Sequence, residues 1–152
     1  YNMETGFGGL DFEVNANLPT RRERKISPTA TLTNDLLRDN PKLILSATAG
    51  TTIGGFRAQA SVYHTGGYDI VPITAIAVPQ SSVGSFTTAN LFFKYDVPSS
   101  SGILKDLSFT ANINNVFDTN PPELRRNNSN ELGFANGSTL GRLIQFGINK
   151  KF

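Results

Sequence analysis

Apolar and polar residues alternate along this chain in six separate stretches. At the C-terminal end Ile144, Phe146, Ile148 and Phe152 fall on one side, and Gln145, Gly147, Asn149 and Lys151 on the other. Successive strand side chains point to opposite faces, so a period of two predicts a strand with one apolar and one polar side. Leu107, Phe109, Ala111, Ile113 and Phe117 oppose Ser108, Thr110, Asn112 and Asn114 in the same way. Ala89, Leu91, Phe93, Tyr95 and Val97 oppose Thr88, Asn90, Lys94 and Asp96, with Phe92 breaking the rule. The series continues upstream with Phe56, Ala58, Ala60 and Val62, then Leu43, Leu45, Ala47 and Ala49, then Leu10, Phe12, Val14, Ala16 and Leu18.

The predicted strands cover roughly 7–18, 42–53, 55–66, 86–97, 106–117 and 141–152. Each runs to about a dozen residues, whereas soluble proteins favour about 5–6 and a tilted strand crossing a bilayer needs about 9–11. A helical reading fails, because no segment keeps an apolar stripe at 3.6-residue spacing. The junctions alternate in length. A tight turn at Gly54-Gly55 and a short Pro98-to-Gly102 connection contrast with long junctions at 19–41, 67–85 and 118–140. In an up-and-down antiparallel sheet this puts short turns at one end and long loops at the other, as outer-membrane barrels do. The expected fold is all-β, a segment of an antiparallel up-and-down transmembrane barrel with short periplasmic turns and long extracellular loops.

Composition sharpens this picture. Only 17% of the 152 residues are charged and 38% are hydrophobic, the balance being largely Asn, Ser, Thr and Gly. A soluble sandwich usually turns a Lys- and Glu-rich face to water. Here the polar sides suit a lumen lined by hydrogen-bonding groups, and Arg57, Gln59, Lys94, Asp96, Asn112 and Asn114 are the lumen-facing candidates. With no Cys and one His, disulfides, thiolate zinc and multi-histidine metal sites are excluded. No metal and no cofactor is expected. A net charge of +2 and no basic patch with interleaved aromatics leave no case for nucleic acid. There is no Gly-x-Ser-x-Gly elbow, no phosphate loop and no carboxylate pair suited to acid–base work, so the chain is not expected to be an enzyme. The chain starts at Tyr1 with no visible signal peptide, which suits a mature chain or part of a longer one.

Three further groups invite functional readings. Arg21, Arg22, Arg24 and Lys25 sit beyond the outer end of the first strand, where they could contact lipopolysaccharide phosphates or simply form a solvated rim. His64, near the outer end of the third strand, is a weak ligand candidate at a barrel mouth. Tyr63, Tyr68, Phe92, Phe93, Tyr95, Phe117 and Phe7 lie near strand ends and could form interfacial girdles.

The last twelve residues, Gly141-Arg142-Leu143-Ile144-Gln145-Phe146-Gly147-Ile148-Asn149-Lys150-Lys151-Phe152, resemble the closing strand of a TonB-dependent outer-membrane receptor. The element Asn115-Val116-Phe117-Asp118 is similar to the end of that family's penultimate strand, and Gly54-Gly55-Phe56-Arg57-Ala58 resembles a periplasmic hairpin. Lys150 departs from the pattern, since the family more often has an apolar or aromatic residue there.

The resemblance implies that residues 1–152 are the C-terminal part of a receptor barrel of about 22 strands, without the plug domain. It implies import of a scarce nutrient (a ferric siderophore, cobalamin or a carbohydrate) with energy delivered by TonB through the missing plug. It makes Gly141, Phe146, Ile148 and Phe152 an assembly signal read by the barrel assembly machinery, with outer-membrane lipid and lipopolysaccharide as further partners and the bacterial outer membrane as the location. The alternative is a small complete outer-membrane barrel, or a self-assembling β-rich surface protein without transport activity.

Overall fold

The computed structural model describes residues 1–21, 23–25, 27–31, 33–34, 38, 40–70, 79–99, 101–125, 132–135 and 137–151, with Arg24, Thr33, Asn34 and Leu132 described by backbone alone. In chain order the strands are β1 (Asn2–Thr5), β2 (Gly8–Asn17), β3 (Glu23–Arg24), β4 (Thr33–Asn34), β5 (Ile44–Ile53), β6 (Phe56–Thr65) and β7 (Tyr68–Asp69). They continue with β8 (Ser82–Val83), β9 (Phe86–Asp96), β10 (Leu107–Asn114), β11 (Glu123–Arg125), β12 (Leu132–Phe134) and β13 (Leu143–Lys150).

The six long strands expected from alternation are β2, β5, β6, β9, β10 and β13. Together with β1 they form one seven-stranded antiparallel sheet in the order β1-β2-β5-β6-β9-β10-β13. Each strand in that order follows its neighbour through a hairpin or loop without a crossover. β1 is new relative to the alternation pattern. Asn2-Met3-Glu4-Thr5 is too short for a period of two to stand out, and it is held by its pairing with Gly8 to Asp11. The chain passes through β1 before it reaches β2. It runs down β1 and turns at Gly6-Phe7 into β2, which adds a third short turn at that end.

Cross-strand register fixes which side chains share a face. Leu10, Thr51, Ala58, Phe93, Ala111 and Phe146 form one row across the sheet, and Phe12, Ala49, Ala60, Leu91, Ile113 and Ile144 form the next. The opposite face carries Asp11, Gly50, Gln59, Phe92, Asn112 and Gln145 in a single row. A mainly apolar face and a mainly polar face therefore cross the six long strands, with Thr51 and Phe92 as exceptions in these rows. The described residues contain no second sheet that covers the apolar face, and it stands exposed, with Phe146 at 83% and Ile148 at 71% of full accessibility. A sandwich would bury those side chains. Among the described residues β1 and β13 are not paired with one another, so the sheet is open at both edges.

The buried core lies in the long loops. Tyr68, Ile70, Val83 and Ala135 pack together with Leu124 against them, and Val83 is only 2% exposed. Two small ribbons build this cluster, β7 with β8 and β11 with β12. Gln80 ties them: its Nε2 donates to the carbonyls of Ser82 (2.8 Å) and Glu123 (2.9 Å), and its Oε1 accepts from the Arg125 N–H (2.9 Å). Lys42 reaches Asp69 at 3.2 Å and brings the loop after β2 to the same cap. A third ribbon, β3 with β4, lies within that loop. The long loops thus hold one another instead of hanging separately from the sheet. Tyr68, a girdle candidate in the sequence, belongs to this loop core.

Candidate functional site

The polar face is organised around one ion pair. Asp11 on β2 and Arg57 on β6 flank β5, and alternation turns both to the same side. The Arg57 guanidinium donates to both carboxylate oxygens, at 2.8 and 3.1 Å, and also to Thr52 Oγ1 (3.2 Å) and Gln59 Oε1 (2.9 Å). This fork-to-carboxylate pairing passes directly over Gly50. A Cβ there would lie 2.6 and 2.7 Å from the Asp11 oxygens and 2.9 Å from the guanidinium, so glycine leaves the bridge its path. Lys94, directly opposite Arg57, pairs instead with Asp96 two residues along its own strand, at 2.8 Å. The like charges of Arg57 and Lys94 are each matched by a separate carboxylate. An open hollow of about 710 Å³ lies beside the pair at the short-turn end, lined by Glu4, Asp11, Thr52 and Arg57 among others.

All six lumen-facing candidates share this polar face. Arg57 and Lys94 stand in one row, Gln59 and Asn112 in another, with Asp96 opposite Ser108 and Asn114 opposite Leu143. Phe92, which broke the alternation, also lies here, between Gln59 and Asn112. Near the long-loop end a hollow of about 300 Å³ is lined by Phe86, Thr88, Asn90 and Asn114 from the strands and by Ser138 and Leu140 from the last loop. That loop folds across the polar face, and Phe86 is buried there.

The two sequence elements at the end of the chain meet in space. Asn115 and Asp118 both take left-handed backbone, with φ of 52° and 55°. Asn115 is buried. Its side chain exchanges two hydrogen bonds with the Thr119 backbone, each at 2.9 Å, and its own N–H donates to Asn90 Oδ1 at 2.8 Å. The tight turn that follows aims Asp118 at the start of β13, where its Oδ1 accepts the Arg142 N–H at 2.8 Å. Gly141, at φ 68°, completes the fit, because a Cβ on it would lie 2.7 Å from the same oxygen. The Asn-Val-Phe-Asp element and the Gly-Arg element are thus two halves of one clasp.

The remaining candidates separate. Phe146 and Ile148 lie on the exposed apolar face, Gly141 in the clasp, and Phe152 lies outside the described residues. Arg21 is exposed and pairs with Glu23 at 2.7 Å; Lys25 is exposed; Arg22 lies outside the described residues, and Arg24 is placed by its backbone in β3. His64 falls in the row of Leu45 and Thr87 on the apolar side, its Nδ1 2.8 Å from Thr87 Oγ1, so it does not join the polar-face network. Of the girdle residues, Phe93 and Tyr95 lie on the apolar face, and Tyr63 and Phe92 on the polar one. Phe56 stacks on Phe93 with centroids 6.3 Å apart, and Phe56, Tyr95 and Phe109 form one row at the short-turn end. In the sequence Phe56 and Phe109 stand only as apolar positions of separate strands, and cross-strand register alone brings them into one row.

Among the described residues no three His, Asp or Glu side chains converge on a possible metal position. The chain matches no protein-family model, no curated protein and no solved structure.

Proposed function

We propose that this chain is part of the wall of an outer-membrane β-barrel transporter of the TonB-dependent kind that its closing strand resembles. The observation that carries the reading is the apolar face, which crosses the six long strands and is covered by no second layer among the described residues. In water such a face and two open edges favour aggregation. In a bilayer the face is solvated by lipid. A ten-residue strand such as β5 rises about 33 Å, and at the usual barrel tilt it spans the roughly 25 Å apolar band of such proteins. The open edges at β1 and β13 favour a wall segment over a small barrel complete in itself, because closure needs further strands.

On this reading the polar face lines the lumen, with Arg57, Gln59, Lys94, Asp96, Asn112 and Asn114 beside the path of the imported solute. The long-loop cap faces the cell exterior, where Arg21 and Lys25 meet lipopolysaccharide. A plug domain carries the contact to TonB, and the barrel assembly machinery reads β13. The nutrient is a ferric siderophore, cobalamin or a carbohydrate.

The chain has no Cys, so single cysteines report position cleanly. Thr29→Cys in the first long loop is expected to react with a membrane-impermeant maleimide on intact cells. Ser101→Cys in a short turn is expected to react only after the outer membrane is permeabilised. Equal labelling of both on intact cells would overturn the orientation. Transport is tested with radio-iron siderophores, labelled cobalamin and labelled oligosaccharides given to cells carrying the full-length protein. Uptake that persists without TonB would sink the energy coupling.

A further inference from the structure

The polar face changes chemistry along its length. Its charged pairs, Asp11 with Arg57 and Lys94 with Asp96, occupy the half nearer the short turns. Towards the long loops the rows become almost wholly neutral. Thr48, Ser61 and Asn90 stand side by side in one row, with the Thr48 and Ser61 hydroxyls 3.1 Å apart. Ser46, Tyr63 and Thr88 form the row beyond it. The carboxylate in these rows, Glu13 on β2, accepts from the Asn15 side chain at 2.7 Å and stands three strands from Asn90, about 14 Å at the usual strand spacing.

The hollow of about 300 Å³ beside the last long loop lies in this neutral half. Thr88, Asn90 and Asn114 line it from the sheet and Ser138 and Leu140 from the loop; among the described residues no charged side chain lines it. The carboxylate of Asp118, next to Gly141 at its edge, is engaged by the Arg142 N–H. Asn90 Oδ1 accepts from the Asn115 N–H, which orients the amide and leaves its Nδ2 as a donor. Among the described residues no protein group bonds that Nδ2, the Asn114 amide or the Thr88 hydroxyl, and none of these atoms is buried. Tyr63 opposes Thr88 across the β6–β9 pair and is 49% exposed, so an aromatic ring stands in solvent beside the row that lines the hollow.

Amides and hydroxyls both donate and accept, as the hydroxyls of a sugar do. The electron-rich face of an aromatic ring attracts the C–H face of a pyranose. An anionic chelate would meet no cation in this lining, and an apolar solute would leave the amides unpaired. We propose that the outer half of the polar face binds a neutral oligosaccharide, with one unit held in the hollow by Asn90, Asn114 and Thr88 and the next stacked on Tyr63. This rests on the transporter reading and narrows its solute to a carbohydrate. The hollow lies at the long-loop end, the side from which solute arrives on that reading, ahead of the charged pairs.

The test is isothermal titration calorimetry of the full-length protein in detergent with maltohexaose, cellohexaose, xylohexaose and mannohexaose, and with hexagalacturonic acid as the acidic arm. At least one neutral hexamer is expected to bind, about tenfold or more tighter than the acidic one, whose carboxylates find no cation. Tyr63→Ala is expected to weaken that binding about fivefold, whereas Tyr63→Phe, which keeps the ring, changes it about twofold or less. Asn114→Ala is expected to weaken it about fivefold through lost hydrogen bonds. Ser108→Ala, at the short-turn end of the same face, leaves it unchanged. Binding of none of the neutral hexamers overturns the proposal without any variant, and so does equal or tighter binding of hexagalacturonic acid. A Tyr63→Ala or Asn114→Ala protein that binds as the wild type does also overturns it. TonB-dependent uptake of a ferric siderophore or cobalamin, with no neutral hexamer bound, overturns the hollow's assignment alone. A bound hexamer that cells carrying the protein do not import overturns the transporter reading and leaves the site.

Discussion

Asn115, Asp118 and Gly141 decide how the last strand begins. Two of them hold left-handed backbone at residues that are not glycine, a conformation Asn and Asp tolerate because their short polar side chains bond locally. Asp118 then supplies the acceptor for an N–H that lies 24 residues further on. Replacing it by Ala removes the acceptor and raises the cost of the turn, and a loss of about 1 kcal/mol is expected. Asp118→Asn keeps both properties and is expected to cost less than about 0.5 kcal/mol. Urea unfolding of the protein in lipid vesicles separates the two; equal midpoints would show that the clasp contributes nothing. The residues of this clasp were legible as a family-like pattern, but their partnership was not. It depends on two backbone turns that spacing does not reveal.

At the scale of the strand, alternation is a local property and was almost wholly legible. β5 spans Ile44–Ile53 where residues 42–53 were expected, and β9 spans Phe86–Asp96 where 86–97 were expected. Register sets His64, a weak ligand candidate in the sequence, with Val62 on the apolar side. Placing a charge on either face gives a direct comparison. Ala60→Lys puts an ammonium at mid-strand on the apolar face, and a loss of about 2–4 kcal/mol in vesicle folding is expected if lipid covers that face. Asn112→Lys, on the polar face, is expected to cost less than about 1 kcal/mol. Similar losses from both would mean that the two faces meet the same solvent.

For the whole molecule, Gln80 is the test of whether the long loops act as one cap. It makes three hydrogen bonds, one to Ser82 in its own loop and two, to Glu123 and Arg125, that join the loop after β6 to the loop after β10. Gln80→Leu removes all three and leaves the Arg125 N–H without its acceptor. Hydrogen exchange at the Arg125 amide is expected to rise at least about tenfold, while the Lys94 amide in mid-sheet is unchanged. Unchanged exchange at Arg125 would mean that the cap is held by the Tyr68–Val83 cluster alone.

The sequence by itself determined that the chain is all-β, where its long strands run, which end carries the short turns and which side of each strand is apolar. These are properties of neighbouring residues, set by the two-residue period of the extended chain. Only the tertiary structure decided that Asp118 meets Arg142, that Asp11 reaches Arg57 over Gly50, that Tyr68 is core, and that Tyr63 stands opposite Thr88. Those facts depend on cross-strand register. Register is settled by pairing between segments tens of residues apart, and a slip of one residue would turn each side chain to the other face.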